Sequence, residues 1–127
     1  MKKTAQLILI LLFSLSLVFH LLVILKVIPY AMVWGGRLQL DTDMYRFETV
    51  SLIVNMISLL VLMFKAGIIK PVIPTLVING ALWIMFGLMA LNTAGNLFSG
   101  NPLERIIFTP LTLVSAILLL VVLLKKN

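Results

Sequence analysis

His20 and Glu48 each sit in or beside a long apolar stretch, and they are the side chains best suited to chemistry in this sequence. A histidine and a carboxylate brought together can hold, donate and return a proton. Both have polar companions at helical spacing. Ser16 precedes His20 by four residues, while Glu48, Ser51, Asn55 and Ser58 follow one another at intervals of three, four and three. On a helix such intervals place all members on one face. Thr109, Thr112 and Ser115 repeat the pattern near the end of the chain. Polar residues on a lipid-embedded helix turn into the bundle, so His20, Glu48, Ser51, Asn55, Thr109 and Thr112 are expected to gather there as a candidate polar cavity. Two roles compete for such a cluster. Ser, Thr, Asn and His hydrogen-bond across membrane helices as interhelical glue, and the sequence by itself favours that role. The alternative is a cavity that binds a headgroup, a small molecule or a proton.

The remaining acids read as structural. Asp41 and Asp43 stand just before an apolar run, where carboxylates cap a helix and meet the positive end of its dipole. A metal site there lacks a nearby histidine and a third ligand, so no metal is expected. Asn101-Pro102-Leu103-Glu104 has the spacing of an N-cap, a first-turn proline and an N3 glutamate, which assigns Glu104 to capping. The chain has no cysteine, which excludes disulfides and thiolate sites for zinc or iron–sulfur clusters. No cofactor is expected.

The elements that must position these residues follow from composition. The chain has 127 residues, of which 62% are hydrophobic and 11% charged, with a mean hydropathy of +1.22. A soluble domain has about 45–50% apolar and about 25% charged residues, and a chain this short cannot hide such an excess from water. Soluble enzymes, secreted mini-proteins and disordered chains are thereby excluded. Four apolar segments stand out, at residues 7–25, 47–64, 72–91 and 106–124. Each approaches the ~20 residues that cross a hydrocarbon core as a helix. Backbone groups in lipid must be satisfied within the segment, so the expected fold is all-α, a bundle of four transmembrane helices forming one integral membrane domain over residues 1–127. The first segment lacks the short core and small-residue exit of a cleaved signal peptide and reads as a retained span.

Charge sets the expected orientation. Lys2, Lys3, Lys65, Lys70, Lys125 and Lys126 fall on one side with no acid among them. Lys26, Arg37, Arg46 and Arg105 fall on the other, balanced by Asp41, Asp43, Glu48 and Glu104. Basic residues stay cytoplasmic, so both termini are expected in the cytoplasm and the connections near 26–46 and 92–105 outside. The net charge of +6 therefore speaks for headgroups and orientation, not nucleic acid. Trp34, Arg37, Arg46, Asn96 and Arg105 are the candidate outward loop surface. In the third segment, Gly87 and Ala90 are expected at a close helix approach, and Trp83 is expected to pack inside the span.

The stretches IPYAMVWGGRL, MYRFE and LNTAGNLFSGNPLER resemble parts of small uncharacterised four-helix bacterial membrane proteins. That resemblance implies no activity, only that the outward loops are the distinctive surface. Small multidrug-resistance transporters match less well, since the first segment here holds His20 and no acid. Three functions are carried forward. The leading one is a non-enzymatic multi-pass protein of the bacterial cytoplasmic membrane, acting through a membrane partner, through a second copy of itself or as a small accessory subunit. The second binds or carries a small amphiphile through an outward-facing polar cavity. The third is a membrane enzyme of the isomerase type, with His20 and Glu48 as acid and base.

Overall fold

The computed structural model describes residues 2–29 and 40–124. It is all-helical. Helix α1 spans Lys2–Ile24, α2 Asp41–Ala66 and α3 Thr75–Leu97, and α4 (Thr109–Leu124) follows directly on a π-helical turn, Glu104–Phe108. Four helices, counting the last from Glu104, are long and apolar enough to cross a membrane.

Two helices end in the same way. At Gly67, with φ 77°, the backbone turns left-handed; its N–H donates to Phe64 O, and Ile68 N–H donates to Met63 O. These two bonds form a Schellman cap that satisfies the last carbonyls of α2. Lys26 does the same for α1 without being glycine, at φ 62°, with Lys26 N–H to Val23 O and Val27 N–H to Leu22 O at 2.9 Å each. The left-handed turn costs a residue with a Cβ about 1 kcal/mol. Lys26 also pairs with Asp41 at the start of α2 and lies over the Tyr45 ring, contacts that glycine lacks.

The helix starts differ from expectation. Neither Asp41 nor Asp43 caps α2. The N-cap is Leu40, with no side-chain cap, and both aspartates lie inside the first turn, where their charge still meets the dipole. Because α2 begins at Asp41 and has 26 residues, it is roughly 39 Å long against a hydrocarbon core of about 30 Å. Pro74 is the N-cap of α3, so this helix starts at Thr75, not near Val72. It then runs through Asn92, Thr93 and Asn96, where a polar loop is expected. The Thr93 hydroxyl donates to Met89 O at 2.8 Å, which satisfies it within the helix.

Helix α1 packs on α2 and α4, and α3 packs on α4; the α2–α3 seam is the loosest of the four. The main core unites Leu9 and Phe13 of α1, Val61, Leu62 and Phe64 of α2, Ile78, Leu82 and Met85 of α3, and Leu119 and Val122 of α4. It fills the half of the bundle that carries the N-terminus and the α2–α3 hairpin, here called the proximal half. A smaller cluster around Val23 and Met44, with Phe19 and Phe108 against it, lies at the opposite, distal end. Long apolar side chains such as Leu11, Leu15, Ile53, Ile57, Ile84 and Ile117 point outward from every helix. In water this surface would aggregate; in hydrocarbon it is the ordinary exterior.

Candidate functional site

Between the two apolar clusters the bundle is polar and incompletely filled. Helix α1 brings His20 to face Glu48 of α2, and His20 Nδ1 lies 2.6 Å from Glu48 Oε2. The Glu48 side chain is wholly covered and that of His20 is 19% exposed. Such a contact between an imidazole and a carboxylate orients the ring and directs its second nitrogen, Nε2, away from Glu48. Aromatic contacts hold the ring in place. Phe19 meets His20 edge to face at 5.6 Å between centroids and Phe108 at 5.1 Å.

About two helical turns further along α2, Asn55 is 9% exposed. Its Nδ2 donates to Ser51 O at 3.1 Å. Its Oδ1 is buried and accepts no hydrogen bond among the described residues. Such an orphaned acceptor costs about 1–3 kcal/mol. The hydroxyls across the bundle are better served. The Thr93 hydroxyl lies 2.8 Å from Met89 O and 2.9 Å from Thr112 Oγ1, and its single proton is shared between these two acceptors. Thr112 turns its own proton to Phe108 O at 2.9 Å, and Ser115 donates to Leu111 O at 2.9 Å.

All four helices wall a cavity of about 1220 Å³ whose lining includes Ser16, His20, Glu48, Ser51, Asn55, Asn92, Asn96, Glu104, Thr112 and Ser115. Known ligand pockets run about 300–1,000 Å³, so the space is ample. Apolar side chains complete it, Phe13 and Met85 toward the main core and Val50, Val54, Leu88 and Leu91 on the facing flanks of α2 and α3. Those last four are also exposed, so the cavity opens along the α2–α3 seam. At the proximal end the same seam is closed by Lys65 Nζ donating to Asn79 Oδ1 at 2.8 Å. The two helices are joined at the hairpin and part toward the distal end.

The structure brings His20, Glu48, Ser51, Asn55 and Thr112 to one cavity but not Thr109. The Thr109 hydroxyl donates to Glu104 O at 3.2 Å, a carbonyl within the π-helical turn, and is not part of the wall. Asn96 is not loop surface. It lies in the last turn of α3, half-buried, and lines the cavity. Arg46 and Arg105 are exposed on α2 and on the π turn, while Trp34 and Arg37 lie outside the described residues. Trp83 is 47% exposed and meets Phe86 edge to face, so it faces away from the bundle. No side chain or other helix comes within 4 Å of a Cβ built at Gly87, and Ala90 is exposed, so neither makes the expected close helix approach.

Sequence reasoning missed Glu104 as a cavity residue. Asn101 does cap the following turn, its Oδ1 accepting from Leu103 N–H at 3.0 Å. The Asn101 N–H, which a capping box would give to Glu104, donates to Ser99 Oγ at 3.1 Å, and Glu104 is buried in the wall. Pro110 was the available signal. A proline inside a helix has no N–H to return and crowds the carbonyl four residues back, here Ile106, and the wider π turn lies around that residue. Such turns are frequent at functional sites. Among the described residues no group of three His, Asp or Glu side chains is placed to hold a metal ion. Comparison with known families, curated proteins and solved structures gives no match.

Proposed function

We propose that this chain is a multi-pass protein of the bacterial cytoplasmic membrane that binds a small amphiphile, with its polar head beside His20, Glu48 and Asn55 and its tail toward the α2–α3 opening. The observation that carries this reading is the cavity itself, with a covered carboxylate–imidazole pair in a wall that is otherwise apolar toward the seam. Pure interhelical glue, or action only through a membrane partner, would leave the polar stripe of α2 fully paired. Asn55 Oδ1 accepts no hydrogen bond among the described residues, which supports binding over the partner role. In the orientation set by the lysines, the distal end faces outward. Reporter fusions at Lys70 and Asn127 then read cytoplasmic and a fusion at Asp41 reads external; a cytoplasmic signal at Asp41 would overturn the topology.

Binding is testable because the chain has no native cysteine. Phe98 is exposed at the cavity rim, and Leu11 of α1 is exposed and is not part of the cavity wall. Phe98→Cys and Leu11→Cys, each carrying a bimane fluorophore in phosphatidylcholine nanodiscs, report on added twelve-carbon amphiphiles. A saturable change at position 98 with only a linear partition signal at position 11 is the expected result. Linear responses at both positions would refute the reading.

The 2.6 Å contact favours one further reading, a membrane isomerase in which Glu48 orients His20 and Nε2 takes up and returns a proton. Its signature is deuterium passing from D₂O into the bound compound, lost in His20→Gln. Binding without exchange would leave a carrier or receptor.

A further inference from the structure

Charge is divided unequally between the two ends of the bundle. All four acids of the chain, Asp41, Asp43, Glu48 and Glu104, lie in the distal half, at the start of α2 or in the cavity wall, so the proximal half holds no Asp or Glu. Among the described residues, Lys2, Lys3, Lys65 and Lys70 stand there. Lys3 and Lys70 are exposed, as lysines at a membrane boundary ordinarily are. Lys65 is half-buried. Its carbonyl accepts from the buried Gln6 Nε2 at 3.4 Å, and its ammonium reaches across the α2–α3 seam to Asn79 Oδ1 at 2.8 Å. That bond uses one of three ammonium protons, and Asn79 carries no charge to balance the cation. Lys2 lies near enough for its own positive charge to act on Lys65. A half-buried cation with a second cation beside it, in a half of the molecule without Asp or Glu, lacks a counter-ion.

We propose that Lys65, with Lys2 and Asn79, seats the phosphate of an anionic phospholipid at the foot of the α2–α3 seam. This site is separate from the distal cavity and stands whether or not that cavity binds an amphiphile. A phosphodiester brings one negative charge and acceptor oxygens. These complement the remaining ammonium protons of Lys65, and the Asn79 amide can add a donor. A zwitterionic headgroup also brings a cation of its own, which meets lysines and no Asp or Glu at this end. The surroundings assign the phosphate to a lipid and not to a dissolved ion. Ile68 and Ile69 of the hairpin, with Val72 before α3 and Leu76 in its first turn, are all exposed, and an apolar rim of this kind belongs beside acyl chains. Basic pockets between membrane helices are a general form of anionic headgroup recognition. In the orientation proposed above, the headgroup belongs to the cytoplasmic leaflet.

The test titrates the full chain, in dodecyl maltoside micelles, with dioleoylphosphatidylglycerol, dioleoylphosphatidylcholine and glycerol 3-phosphate, and reads bound molecules by native mass spectrometry. One phosphatidylglycerol is expected to bind about tenfold or more tightly than phosphatidylcholine, the size of effect that two lysines beside an anionic headgroup supply. Glycerol 3-phosphate is expected not to bind. Lys65→Gln should bring the ratio of the two lipids toward one, while Lys3→Gln, at the exposed start of α1, should leave most of it. Should Lys65→Gln fail to fold, Asn79→Asp keeps the tie between α2 and α3, gives Lys65 a carboxylate partner and should lower the ratio in the same direction. Equal binding of the two lipids would overturn the proposal. Equal losses in Lys3→Gln and Lys65→Gln would also overturn it, since they would mark a diffuse surface field and no seat at Lys65. Glycerol 3-phosphate binding as tightly as phosphatidylglycerol would overturn the assignment to a lipid.

Discussion

Replacing Asn55 with leucine should make this protein more stable while weakening binding in its cavity. The amide makes one bond, Nδ2 to Ser51 O at 3.1 Å, and Ser51 O lies one turn back on the same helix, where a backbone N–H is its normal partner. Hydrogen bonds in a membrane protein average about 0.6 kcal/mol in double-mutant cycles, so the loss is small. Against it stands the removal of a buried acceptor that lacks a donor, a penalty of about 1–3 kcal/mol. Leucine has nearly the same shape and leaves no charge behind. The balance is a gain of about 0.5–2 kcal/mol, read from unfolding midpoints in one detergent at fixed concentration. The same variant should bind an added amphiphile more weakly, since a polar group facing the cavity has gone. Functional sites commonly hold polar groups at such a cost to stability. A loss of more than about 1 kcal/mol, of the size expected when a net-favourable hydrogen bond is removed, would refute the reasoning and return Asn55 to the role of glue.

Thr93→Val should do the opposite, because the Thr93–Thr112 bond at 2.9 Å ties α3 to α4; a loss of about 0.6 kcal/mol, and no more than about 1.7, is expected in the same unfolding assay. His20→Leu and Glu48→Leu should be non-additive in the double variant, since the two side chains meet at 2.6 Å and contacting residues couple by about 0.5–3 kcal/mol; additivity within about 0.5 kcal/mol would show that the pair is not energetically coupled. Asn101→Ala should cost about 0.5–2 kcal/mol by removing the cap on Leu103 N–H, and an unchanged melting midpoint would show that the turn stands without it.

Much of the architecture was legible because it is local. Apolar length marks out four helices able to span a membrane, since a lipid-embedded backbone must satisfy its hydrogen bonds within one segment. The face shared by Glu48, Ser51, Asn55 and Ser58 follows from helical periodicity alone, and three of the four are buried as that periodicity requires. Caps were less legible. Asp41 and Asp43 have capping chemistry, yet Leu40 takes the position, and the polar run from Asn92 to Leu97 is helix because Thr93 closes its hydroxyl on its own backbone.

Periodicity along one helix says nothing about which turn of another helix it meets. The 2.6 Å contact between His20 and Glu48 depends on the vertical register of α1 against α2, set by the packing of Val23 and Met44 beside it. Whether Asn55 is paired depends on what stands opposite, and the parting of α2 from α3 leaves its oxygen without a donor. Glu104 reaches the wall through a π-helical turn, where 3.6-residue spacing no longer applies. Hydrophobicity and helical period belong to each segment and so lie in the sequence. The cavity and its open seam are differences between neighbouring surfaces, and they arise only when four helices pack against one another.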